Sequence, residues 1–228
     1  MQLKLIQQRL AAYKNFLPTP AAQTRLYAWE SQRIFQQHWD ADATDFGEMY
    51  DRSLDNSQTR RLWKRENYEP KQMMQAFIAL APDMVRHAFL DLYNEEKDSA
   101  ARADRFVFYC DELLRAYREK YPLSVENNHY HEDSYGMIAL YLAFHYPERY
   151  TLCDFAAFRT LLQQLGSPDV PLANDFARFC KVMRTLYGFM QKDPELLSLH
   201  RQRLRPTRHY TGESLLVVWD FYQFCAYG

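Results

Sequence analysis

Two histidines and two carboxylates fall within five residues at His129, His131, Glu132 and Asp133, and imidazole and carboxylate are the usual nitrogen and oxygen ligands of a metal ion. Their spacing opposes that chemistry. On a helix, residues i and i+2 point apart, whereas a usable pair, as in H-E-x-x-H, needs i and i+4. The cluster, flanked by Asn127 and Asn128, therefore reads as a polar turn that caps the helix after it, and neither a metal nor another cofactor is expected. Nucleophilic chemistry has less support still: there is no G-x-S-x-G, and none of the four cysteines adjoins a histidine in sequence. Phosphate-cradling loops of the types G-x-x-x-x-G-K-S/T and G-x-G-x-x-G are also missing. The chain is accordingly expected to be non-enzymatic.

The strongest charge feature runs from Arg178 to His209. Eight cations, Arg178, Lys181, Arg184, Lys192, Arg201, Arg203, Arg205 and Arg208, stand against Asp193 and Glu195, a local charge of +6 in a chain whose net charge is −1. Nucleic-acid affinity rests on such phosphate-neutralising groups, and Tyr187, Phe189, His209 and Tyr210 interleave aromatics able to stack on bases. Arg178, Lys181, Arg184, Arg201, Arg203, Arg205 and Arg208 are the candidate nucleic-acid contacts. The alternative is a solvated helix face paired with the acidic segment from Asp40 to Asp55.

The elements that must position these groups are helical. Met137 to Phe144 is apolar on every side, so a helix there must be enclosed by others. It forms the centre of the stretch from Asn127 to Arg159 and ends at His145-Tyr146-Pro147, where proline disfavours helix in the residue before it. Around it, apolar residues recur at helical spacing over residues 2–16, 21–39, 44–54, 98–120, 154–165, 174–191 and 193–204, with a last helix capped by Thr211. Pro70 and Pro82 occupy first-turn positions of two short helices that would form a hairpin. Arg60, Arg61, Lys64 and Arg65 make a second basic patch around Leu62 and Trp63. The expected fold is all-α, an irregular bundle of about ten to eleven helices. It divides softly into 1–122 and 123–228, the latter around a central helix at 134–145, or forms one continuous domain.

With 228 residues, 47% apolar and 25% charged, the chain is long enough to bury a core without disulfides. Cys110, Cys153, Cys180 and Cys225 lie in apolar helical stretches without a C-x-x-C pair, as reduced buried thiols do. The longest apolar run, about eight residues, is short of the ~20 needed to span a bilayer. No signal peptide is legible at the N-terminus. A cytoplasmic location follows as an expectation, and the apolar ending at Cys225-Ala226-Tyr227-Gly228 reads as a cut inside a longer protein.

Three stretches together carry a family resemblance: YAWESQRIFQQHWDADATDFGEMY from Tyr27, PDMVRHAFLDLYNEEKDSAARADRF from Pro82, and NNHYHEDSYGMIALYLAFHYPERYTLCDFAAFRTLLQQLG from Asn127. From about Ala21 onward the chain resembles the helical N-terminal region that precedes the motor in McrB-like AAA+ proteins of bacterial modification-dependent restriction systems. At His131 and the neighbouring carboxylates it departs from the amides of that type. The resemblance implies a non-catalytic recognition or adaptor part of a GTP- or ATP-driven restriction machine used in phage defence, with the nucleotide-binding motor beyond Gly228. Implied partners are the DNA target, a restriction nuclease subunit and that motor. A different class, a protein-interaction scaffold without DNA contact, is suggested by aromatics such as Trp63 and by the apolar C-terminal helix.

Overall fold

A computed structural model describes residues 1–56, 58–63, 69–123 and 135–227. Among these residues there is no strand; eleven helices of eight residues or more, one four-residue helix and one 3-10 turn make up an all-α bundle. In chain order they are α1 (Leu3–Phe16), α2 (Pro20–Gln23), α3 (Tyr27–His38), α4 (Phe46–Ser53), the 3-10 turn (Thr59–Leu62), α5 (Pro70–Leu80) and α6 (Pro82–Leu92). They continue with α7 (Ser99–Lys120), α8 (Gly136–His145), α9 (Phe155–Gln164), α10 (Phe176–Met190), α11 (Pro194–Gln202) and α12 (Leu216–Tyr227).

Helix α8 is the enclosed element that its uniform apolarity demands: every residue from Met137 to Phe144 is buried. A helix with no wet face still has carbonyls at its C-terminal end that need donors. Two glutamines of α3 supply them: Gln32 Nε2 donates to the Ala143 carbonyl at 2.9 Å, and Gln36 reaches the Phe144 carbonyl. Aromatic rings close the other sides, with Phe89 of α6 edge-on to Tyr141 at 4.9 Å and the Tyr50 and Tyr141 hydroxyls bonded at 2.7 Å. Helix α12 is the second enclosed helix, with Leu216 to Tyr222 all buried. It packs on α9, α1 and α10. One contiguous apolar core draws side chains from Ile6 through Cys225 and so spans both sides of the 122/123 boundary.

Capping explains the punctuation. Asp45, Asp98, Asp154, Asp175 and Asp193 each accept backbone N–H bonds at the start of a helix, and Pro70, Pro82 and Pro194 occupy first-turn positions where no amide is missed. Three expectations change. The helix read over 21–39 is two, because Thr24 bonds back to the Ala21 carbonyl at 2.7 Å and Arg25 turns its guanidinium to Asp220; local side-chain bonds of this kind compete with helix continuation. The last helix takes its cap from Ser214, which accepts from Leu216 N at 3.2 Å, leaving Thr211 exposed in the loop. Cys153 lies in the coil before α9; with Cys110, Cys180 and Cys225 it is a free thiol.

Candidate functional site

The turn after α11 is the part of the basic segment that the fold shapes most. Asp193 and Pro194 start α11, and its last turn hands the chain to Arg203. Residues 205–209 then close on themselves: His209 N–H donates to the Arg205 carbonyl at 2.7 Å, and the Arg205 amide donates to His209 Nδ1 at 3.0 Å. That second bond needs a neutral imidazole, and burial, assisted by Arg208, lowers the His209 pKa. Tyr210 N–H then docks the turn on α3 through the Trp29 carbonyl at 3.0 Å.

Arg203 is almost wholly withdrawn from solvent. Its guanidinium, 3% exposed, donates to Asp220 Oδ2 at 2.7 Å and to the Ala22 carbonyl at 2.6 Å. Asp220, fully buried in the middle of α12, also accepts from the Tyr13 hydroxyl at 2.8 Å and from Arg25 at 3.4 Å. Burial first, and Asp220 after it, hold the Tyr13 hydroxyl well above its usual pKa. The expectation that Arg203 contacts nucleic acid is therefore corrected: its charge is matched by an interior carboxylate.

The same turn forms one wall of a cleft of about 530 Å³. The other wall comes from Tyr27 and Glu30 of α3, from Gln58 just before the 3-10 turn and from Arg61 within it. Arg208, 56% exposed, donates to Glu30 at 2.7 Å. Arg61 lies over the Tyr27 ring at 4.1 Å. Neither Arg61 nor Arg205 has a carboxylate partner among the described residues. With Arg203 balanced by Asp220 and Arg208 by Glu30, these two make the cleft positively charged, with an aromatic face beside it.

The remaining candidates lie elsewhere. Arg178 is held by Asp169 at 2.5 Å. Lys181 and Arg184 are exposed on α10 and line neither this cleft nor the one containing Arg201. Arg201 lines a separate cavity with Tyr187 and Glu213. The alternative pairing with the acidic segment is not formed by the described groups: Asp51 pairs with Lys71, and Glu48 with Arg52. The cluster from His129 to Asp133, like Lys64 and Arg65, lies outside the described residues. Arg61, Tyr27 and Glu30 were missing from the candidate set; the available signal was the basic patch at Arg60 and Arg61, which nothing local connects to a turn about 145 residues later.

Both motives for a scaffold also change. Trp63 is buried, and the C-terminal helix is enclosed. No helix among the described residues is long and apolar enough to cross a membrane. Comparison with family models, curated proteins and solved structures found no match to this chain.

Proposed function

We propose that this chain is a non-catalytic, cytoplasmic recognition module that binds DNA phosphate through the cleft between α3, the 3-10 turn and the turn after α11. The observation that carries it is the pair of guanidinium groups, Arg61 and Arg205, that have no carboxylate partner among the described residues and stand on one concave surface beside Tyr27. Arg208 can exchange Glu30 for a phosphate oxygen, and a bidentate guanidinium contact suits that geometry. Its place as the recognition part of a McrB-like restriction machine, attached to an AAA+ motor and working with a nuclease subunit, rests on the sequence resemblance at Tyr27, Pro82 and Asn127 alone.

Anisotropy titration of labelled duplex DNA, plain and cytosine-modified, at two salt concentrations tests the reading. Binding that weakens steeply with salt is expected, with Arg61→Gln and Arg205→Gln each lowering the salt slope by about 1. Salt-independent binding, or none, removes the DNA contact. A second reading, a scaffold that docks a nuclease subunit or the motor without touching DNA, finds support in Phe108 of α7 and Leu90 of α6, 59% and 50% exposed on packed neighbours. Loss of co-purifying neighbouring-gene products on Phe108→Ser and Leu90→Ser would favour it.

A further inference from the structure

Consecutive residues at the end of α11 face two different clefts. Gln202 and Arg203 turn to the cationic one, whereas His200 and Arg201 line a cavity of about 400 Å³ bounded by α10, α11, the 211–214 loop and the start of α12. Its apolar lining is Leu197, Leu204 and Val217.

Two opposite charges stand on the same cavity and are not paired with each other. The Glu213 carboxylate is held in place through one oxygen, Oε1, which accepts from the Tyr187 hydroxyl at 2.9 Å and from Gln191 Nε2 at 3.2 Å. No donor among the described residues reaches its Oε2. Arg201 is fixed in a complementary way: Nε donates to the Leu197 carbonyl at 3.1 Å, and neither terminal nitrogen has a partner among the described residues. His200 completes the wall. It is 6% exposed and its Nδ1 has no hydrogen-bond partner among the described residues, a polar group of a kind that interiors seldom leave unpaired.

An apolar surface with a few convergent, pre-oriented polar groups is the general form of a small-molecule site. A purely cationic ligand would satisfy Glu213 and face Arg201 with like charge; a purely anionic one would do the reverse. We infer that this cavity binds a small zwitterion with an apolar side chain, a free hydrophobic α-amino acid, whose ammonium meets Glu213 Oε2 and whose carboxylate meets Arg201, with the side chain against Leu197, Leu204 and Val217. The site shares no lining residue with the cationic cleft, so it stands whether or not the chain binds DNA.

Titration of the full chain with L-phenylalanine, followed by amide chemical shifts, tests it. Saturable shifts are expected at residues of α11, the 211–214 loop and the start of α12. Phenethylamine, which lacks the carboxylate, and 3-phenylpropionate, which lacks the amine, should each bind at least tenfold more weakly. Glu213→Gln and Arg201→Gln, both at exposed positions, should each weaken phenylalanine at least tenfold without moving the unfolding midpoint. No saturable shifts up to 10 mM ligand overturns the site. Equal binding of either single-charge analogue, or binding indifferent to both substitutions, overturns the zwitterion assignment.

Discussion

Two buried arginines, Arg102 and Arg203, anchor different regions of the molecule, and their partners differ in kind. Arg102, 1% exposed, divides its charge among the Leu92 carbonyl and the Tyr150 hydroxyl, both at 2.6 Å, and Glu95 at 2.7 Å. Glu95 is a loop carboxylate, 18% exposed, that Arg149 also reaches at 2.9 Å. Arg203 meets a carboxylate with no access to water at all. Each arginine has a histidine nearby. His145 stacks on Tyr93 at 3.8 Å and is pushed down to about 4 by burial, with Glu95 opposing the shift. His200 contacts Trp29 at 5.0 Å and is pushed down to about 3 by burial, with Arg203 and Arg201 reinforcing it. In the first region the carboxylate remains available to several cations; in the second it is consumed by Arg203, Arg25 and Tyr13. A shared, wet carboxylate tolerates loss of one partner, while a dry one does not, because an uncompensated interior charge is left behind.

The largest expected effect follows from that contrast. Asp220→Ala strands Arg203 in the interior and should cost about 3–5 kcal/mol in urea unfolding. Glu95→Gln leaves Arg102 its carbonyl and hydroxyl acceptors and should cost about 1–2 kcal/mol. If the second loss exceeds the first, the distinction between the two regions fails.

Acid should separate the regions next. Both histidines have folded pKa values below the unfolded 6.5, so the unfolded chain binds more protons and their contribution, complete above that pH, is lost as pH falls. For His145 the loss runs from about 6.5 to about 4, and for His200 from about 6.5 to about 3. His200→Gln should therefore flatten the acid limb of stability against pH more than His145→Gln. Equal flattening would mean that the deeper burial of His200 and its two arginine neighbours do not separate it from His145.

The smallest stability effects belong to the cleft itself. Arg61→Gln and Arg205→Gln should stay within about 0.5 kcal/mol of the parent, since neither holds a carboxylate among the described residues. A larger loss by either would place that arginine with Arg203 as a structural group.

How far the residues alone reveal this arrangement depends on the range of the forces involved. Helix α8 is legible because eight consecutive apolar residues leave no wet face, and α5, α6 and α7 are legible from Pro70, Pro82 and Asp98 because capping acts within one turn. Arg203 is illegible as an interior residue. Its carboxylate lies 17 residues on, and the Tyr13 that shares that carboxylate is 207 residues from it. A run of arginines looks uniform in sequence, yet the fold pairs three with carboxylates, one of them in the interior, and Arg205 with none among the described residues. The break at 24–26 is hidden likewise, since the Arg25 side chain bonds to a residue 195 positions away.

Both extremities of the described chain fasten to the same place. Gln2 N–H donates to the Leu165 carbonyl at 2.8 Å, Gln164 Nε2 donates to the Cys225 carbonyl at 2.7 Å, and Gly166, at φ 61, leaves room for the Gln2 side chain. Helices α1 and α12 are thus pinned to the same end of α9. A disturbance at the end of α9 would therefore reach the first and last helices at once.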